Sequence, residues 1–280
     1  MRKTLLIAVC LGIVLSAPAF AGIYYEATTK ADGRAGQGQA AVVKGWVHGD
    51  KARVEFVESG NPMMAKGGYM LTKDGGTSMF FVNPKEKNYS KFDVESMGQM
   101  VGGLGKMMNM KFSDVKGEDL GEEMGGVIAG VPTTHYKFRV SYTMEMNFMG
   151  MKQASKIVQD KEVWAAPKLV EAALGIWLRK TPPKMGNEEF DKLVRLQAGK
   201  IQGFPLKMIT KQTTTDKNGK VETTTTTMEV TKLELDMIPN VSFDIPAGYE
   251  EVDMMGAMTG QGKDGEENPL AKMMGGGKKK

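Results

Sequence analysis

The stretch Ala52-Arg53-Val54-Glu55-Phe56 alternates apolar and polar residues with a period of two, the spacing that puts every second side chain on one face of a strand. It sits inside a longer pattern. Ala40 to Trp46 leads through Val47-His48-Gly49-Asp50-Lys51 into this strand, and Tyr69-Met70-Leu71-Thr72 and Ser78-Met79-Phe80-Phe81-Val82 flank a tight turn at Lys73-Asp74-Gly75-Gly76. Asn83-Pro84-Lys85-Glu86-Lys87 is a further turn, because Pro84 presets φ for a turn position. From Ile23 to Asp93 the chain therefore reads as antiparallel hairpins with short connections.

The first residues narrow the setting. Arg2 and Lys3 precede an apolar run from Leu5 to Leu15 and the small-residue segment Ser16-Ala17-Pro18-Ala19-Phe20-Ala21, the form of a cleaved signal peptide over 1–21. The run is too short for the ~20 residues that span a bilayer, and no later stretch is long and apolar enough. The one cysteine, Cys10, falls inside the leader, behind Val9 where a lipid-attachment signal wants a small residue. The mature chain then has no disulfide, thiolate metal site or cysteine nucleophile, and a hydrophobic core must hold it together. Losing Arg2 and Lys3 takes the 37 basic residues to 35 against 33 acidic ones, a net charge of +2 that excludes the strong positive field nucleic-acid binding requires.

Past Asp93, an expected helix N-cap, Met97, Met100, Val101, Leu104, Met107 and Met108 fall within one helical stripe, flanked by Gly98, Gly102 and Gly105. Glycine is poorly helical, so a helix over 94–110 is expected to persist only while docked on something apolar. Phe112 to Gly130 is Gly- and acid-rich, and strand character resumes from Tyr136 to Asn147. A hairpin turn within 146–151 leads to a return strand ending at Trp164. Pro167 suits the first turn of a helix carrying Leu169, Ala172, Ala173, Ile176 and Trp177, ended by Thr181-Pro182-Pro183, and Asn187 caps a second with Phe190, Leu193 and Val194 inward. Asn218-Gly219 closes a hairpin between Phe204–Thr210 and the Thr-rich run from Val221 to Leu235, and 253–280 has the composition of a disordered tail.

Catalytic chemistry finds no foothold in this pattern. His48 and His135 are far apart and match no zinc spacing, and no serine sits in G-x-S-x-G. Gly102-Gly103-Leu104-Gly105-Lys106 lacks the Gly and Ser/Thr of a phosphate loop, since positions 100 and 107 are both Met. Glu122-Glu123 and Glu188-Glu189 fall in expected loop or helix-start positions, where carboxylates are commonplace. The 24 methionines raise Cu(I) as a cargo, because thioethers are soft ligands. Met97 and Met107, however, stand ~15 Å apart along a helix. Their spread over strands (Met70, Met79, Met144, Met146, Met208, Met228) and helix suits an adaptable apolar lining better.

The segments Ile23-Tyr24-Tyr25-Glu26-Ala27, Gly45-Trp46-Val47-His48-Gly49-Asp50-Lys51-Ala52-Arg53, Leu71-Thr72-Lys73-Asp74-Gly75, Asn83-Pro84 and Tyr89 resemble the outer-membrane lipoprotein carriers (LolA/LolB-like). Gly130-Val131-Pro132-Thr133-Thr134-His135-Tyr136, Glu162-Val163-Trp164-Ala165-Ala166-Pro167 and Phe243-Asp244-Ile245-Pro246-Ala247-Gly248-Tyr249 are similar to an uncharacterised family of bacterial secreted domains related to those carriers. The resemblance implies a mainly β (α+β) domain over 22–252: a curved antiparallel sheet or open half-barrel, helices over its concave face, and an apolar cavity for acyl chains. By position it also implies that Arg53 latches the lid. The Gly/Met-rich helix, the Met-dense tail and the larger size depart from the carriers.

The expectation is then a non-enzymatic periplasmic or secreted binding protein, without cofactor or bound metal, sheltering a lipid, acyl chain or other apolar ligand. A lipoprotein or envelope protein is its macromolecular partner class. The lining set is Met97, Met100, Val101, Leu104, Met107 and Met108 from the helix, with Phe56, Met79, Phe81, Met144 and Met146 from strands. The alternatives are a Met-based Cu(I)-binding protein and a cavity-less interaction or sensor module.

Overall fold

The computed structural model describes residues 22–33, 40–60, 66–93, 110–148, 151–169 and 188–252. The expected signal peptide, the 94–109 part of the expected lid helix and the tail from 253 lie outside them. Twelve strands form one open sheet: β1 Ile23–Asp32, β2 Ala41–His48, β3 Lys51–Ser59, β4 Tyr69–Thr72, β5 Ser78–Asn83, β6 Asn88–Asp93, β7 Lys111–Ile128, β8 Val131–Phe148, β9 Met151–Ala166, β10 Phe204–Asp216, β11 Val221–Leu235 and β12 Glu250–Glu251. Their spatial order is β12-β6-β5-β4-β3-β2-β1-β11-β10-β9-β8-β7. Every neighbouring pair is antiparallel except the two-residue β12, which runs parallel to β6. Two meanders, β1–β6 and β7–β11, are thus joined where β1 pairs with β11 from Ile23↔Leu235 to Asp32↔Thr225.

The expected hairpins of the first half are present, and the Asn218-Gly219 turn is closed by Asp216, whose Oδ1 accepts from the N–H groups of Asn218 and Lys220 at 2.8 and 2.9 Å. One expectation is corrected. The Gly- and acid-rich stretch after Phe112 is not a loop but the 18-residue edge strand β7, so Glu122 and Glu123 are strand residues. Edge position explains the disguise: β7 pairs on one side only, and three register shifts break its alternation and leave room for glycine and charge.

The register sorts side chains onto two faces. On the core face lie Ile23, Tyr25 and Ala27, then Val43 and Val47, then Ala52, Val54 and Phe56, then Met70, then Met79, all buried in one cluster with Phe204, Leu206, Met228 and Val230. Shifts at Glu26/Ala27, Val42/Val43 and Pro205/Lys207 bend the strands there, giving the sheet its curve. On the reverse face Tyr69, Leu71 and Val82 are buried with Ile238 and Phe243 of the C-terminal segment.

The expected helix after Asn187 is α1, Glu188–Lys200. It docks at the β7 margin of the core face. A Cβ on Gly117 would run into Leu193, so this glycine lets the helix approach β7, and Ile201 at the helix end is buried with Tyr136, Phe138, Val163 and Ala165. Of the helix expected from Pro167, the described residues hold only a 3-10 turn at Pro167–Leu169 with Leu169 buried.

Candidate functional site

The larger apolar cluster of the core face centres on β1–β3, and a smaller one lies at β8 and β9. Tyr25 meets Phe204 edge-on, ring centroids 5.3 Å apart at 61°, and its ring lies across β2 where any Cβ on Gly45 would collide with it. Of the expected strand lining, Phe56 and Met79 are buried in this cluster and Phe81 packs partly buried against it, beside Met70, Met208 and Met228. Met208 and Met228 face one another directly across β10 and β11. Flexible thioethers at so many positions give this surface an adaptable contour.

The same face continues along β8 through Tyr136, Phe138, Val140, Tyr142, Met144 and Met146, opposite Val163, Lys161, Gln159, Ile157, Ser155 and Gln153 of β9. Register therefore puts Met144 and Met146 on the face of Phe56 and Met79, half-buried at the outer end of the strand. Phe112 meets Tyr142 edge-on at 5.8 Å, and burial pushes the Tyr142 phenol above its ordinary range. Met146 also lines a cleft of about 480 Å³ with Lys111, Lys152 and Lys217. Polar groups enter midway, where the Gln159 amide donates to Gln212 at 2.6 Å. Beside them Lys161 stands opposite Phe138 and Thr210, and burial holds its ammonium below the usual lysine range.

The reverse face carries charged chemistry of a different kind. Arg53 lies over the ring of Tyr69 at 4.0 Å and that of Trp46 at 5.5 Å, with Nη2 3.3 Å from Glu55 Oε2 and Nη1 donating to the Ser242 carbonyl at 3.4 Å. These partners place it against the C-terminal segment, on the side of the sheet opposite Phe56 and Met79. Burial raises the Tyr69 phenol, with Arg53 pulling the other way. Further along, His135 is buried between Glu123 and Glu162 and stacks on Trp164. Hydrogen bonds from Lys137 and then His135 hold the Glu123 carboxyl below its ordinary range.

The lid residues Met97, Met100, Val101, Leu104, Met107 and Met108 lie outside the described residues. Sequence reasoning missed Lys161 and Gln197, although the signal for Lys161 was present: it shares parity with Ile157 and Val163, a charge in the apolar phase of its strand. Among the described residues no three His, Cys, Asp or Glu side chains converge as a metal site, and no helix is long and apolar enough to cross a membrane.

The family model described as "Domain of unknown function (DUF4412)" matches residues 35–249. No curated protein matches the chain significantly. Among solved structures, a LolA superfamily protein from Nitrosomonas europaea is similar at 10% identity, over 81% of this chain and 91% of that one, with a TM-score of 0.30.

Proposed function

The chain belongs to the DUF4412 family, and from that premise we propose that it is a non-enzymatic binding or carrier protein of the bacterial envelope that shelters a lipid, acyl chain or other apolar ligand against the core face of its sheet. The carrying observation is the composition of that face. A single open sheet presents Phe56, Met70, Met79, Phe81, Met208 and Met228 together, and no second sheet packs on them among the described residues. Each CH₂ of an acyl chain laid there contributes ~0.8 kcal/mol, so little polar chemistry is needed for binding.

In this reading the chain between β6 and β7 helps to cover the ligand. That segment carries Met97, Met100, Val101, Leu104, Met107 and Met108. Helices over the concave face, a periplasmic or secreted location and an envelope-protein partner belong to the same proposal.

Native mass spectrometry of gently purified protein over residues 22–280, with displacement of a fluorescent fatty acid as a second readout, tests it. A retained lipid mass or saturable displacement is expected. Recovery of bare protein without displacement would sink the carrier reading, and a retained copper mass would replace it with thioether copper binding.

A further inference from the structure

Among the described residues, two donors on the core face have no acceptor, the half-buried ammonium of Lys161 and a buried amide of Gln197. Lys161 occupies an inward position of β9, between Phe138 of β8 and Thr210 of β10, with Val163 two residues away and 2% exposed. No hydrogen bond or ion pair to its ammonium exists among the described residues, and its desolvation has no compensating charge. The carboxylate closest in register, Asp119, lies two strands away opposite Phe138 and is paired with Lys200.

The second donor is on α1. Gln197 lies one helical turn after Leu193, which sits over Gly117, and one turn before Ile201, which packs on Tyr136, Phe138 and Val163. Its inward direction is fixed by these neighbours, and its Nε2 is buried with no hydrogen-bond partner. Gly117 pairs with Val140 and Phe138 with Lys161, so Gln197 and Lys161 occupy the same strip between helix and sheet. A half-buried cation and a buried amide donor, neither with an acceptor among the described residues, are each unfavourable, and one anion placed between them relieves both.

The strip also lies where the face changes character. The row Tyr136, Val163, Met208, Met228 is apolar, and the row Val140, Gln159, Gln212, Thr224 on the other side of Lys161 is mostly polar. An amphiphile laid with its chain over the methionines would bring its head to this boundary.

We propose that Lys161 and Gln197 form the head-group site of the bound ligand, which is an anionic amphiphile with a carboxylate or phosphate head. This rests on the apolar-ligand reading above. Against a fluorescent acyl probe, oleate and oleoyl lysophosphatidate should compete about tenfold more strongly than methyl oleate, the worth of one charge-assisted contact. K161M should bring both anions to within about twofold of the ester while ester binding stays unchanged, K161R should keep the preference, and Q197L should reduce it. The anion that loses more in K161M is the preferred head chemistry. Because Lys161 has no partner to lose among the described residues, ligand-free K161M should melt no lower than the wild-type protein. Undiminished anion preference in K161M, or a lower ligand-free melting temperature, would overturn the head-group site while leaving apolar binding standing. Failure of methyl oleate and both anions to displace the probe from wild-type protein would instead remove the apolar-ligand reading, and this site with it.

Discussion

The imidazole of His135 lies flat on the indole of Trp164, with ring centroids 3.9 Å apart and planes 8° from parallel. The stack is pinned on both edges, by Glu123 at 3.1 Å from Nδ1 and Glu162 at 2.8 Å from Nε2. Lys137 holds Glu123 from the other side at 2.6 Å, and Lys207 approaches the Trp164 ring at 5.5 Å. Three strands are cross-linked at one point of the reverse face, β7 through Glu123, β8 through His135 and β9 through Trp164 and Glu162.

His135→Ala removes the stack and both hydrogen bonds at a buried position, and should destabilise the protein by about 2 kcal/mol. Urea unfolding followed by tryptophan fluorescence reads the loss. A change below ~0.5 kcal/mol would mean that the cluster is ornamental.

Arg53 is expected to hold the C-terminal segment. Arg53→Met should cost about 1–2 kcal/mol through the lost contacts with Tyr69 and the Ser242 carbonyl. It should also raise amide exchange across 240–252. Because these contacts lie on the reverse face, apolar-probe affinity should stay within about twofold of wild type. A tenfold loss of affinity with unchanged exchange at 240–252 would reassign Arg53 to the ligand side.

The half-buried Met144 and Met146 separate binding from folding. The double substitution Met144→Glu, Met146→Glu should be tolerated in melting experiments, since both side chains are only partly covered. It should weaken binding of a long-chain probe by roughly tenfold, because a carboxylate repels apolar chain from its surface. Full probe affinity would exclude the β8 end of the face from the lining and leave it to β1–β5, β10 and β11.

Gly117→Ala should loosen α1, because the added methyl occupies the place of the Leu193 side chain. Overpacking of this kind costs ~1–3 kcal/mol. Exchange should rise over 188–200 while β1–β3 keep their protection. Equal loss of protection throughout would mean that helix and sheet unfold as one unit.

Acid should weaken the β4–β5 turn. Burial pushes the Asp74 carboxyl up, but hydrogen bonds from Ser78, Thr72 and Thr77 outweigh it and hold the group below the ordinary carboxylate range. A carboxyl with a depressed folded value contributes stability that is fully present above the unfolded pKa of ~3.9 and is lost as pH falls through the folded value. Asp74→Asn should therefore be less stable than wild type at neutral pH, and the difference should shrink below about pH 4. A gap that widens on acidification would reverse the assignment.

Local pattern alone fixed a good deal of this protein. Alternation at Ala52–Phe56, the turns at Lys73–Gly76 and Asn83–Lys87, and Asn218-Gly219 placed hairpins whose connections are short enough for chain chemistry to dictate. The helix from Glu188 was legible from local pattern too, since Phe190, Leu193 and Val194 stand at i, i+3 and i+4. β7 was not legible: an edge strand with three register shifts carries neither alternation nor a buried face to mark it.

What the tertiary structure alone decided is which distant strands meet and which face each side chain takes. The joining of Ile23 to Leu235 closes two meanders into one sheet, and no local signal encodes a pairing across so long a stretch of chain. That pairing puts Phe56, Met79, Met144 and Met146 on one surface and sends Arg53 to the other. It also gathers Lys161 and Gln197, from separate elements, into one strip that holds no acceptor for them among the described residues. Composition supplied the methionines, cations and glycines, but period-two geometry makes a face a property of register, and register across non-adjacent strands exists only once the whole sheet has formed.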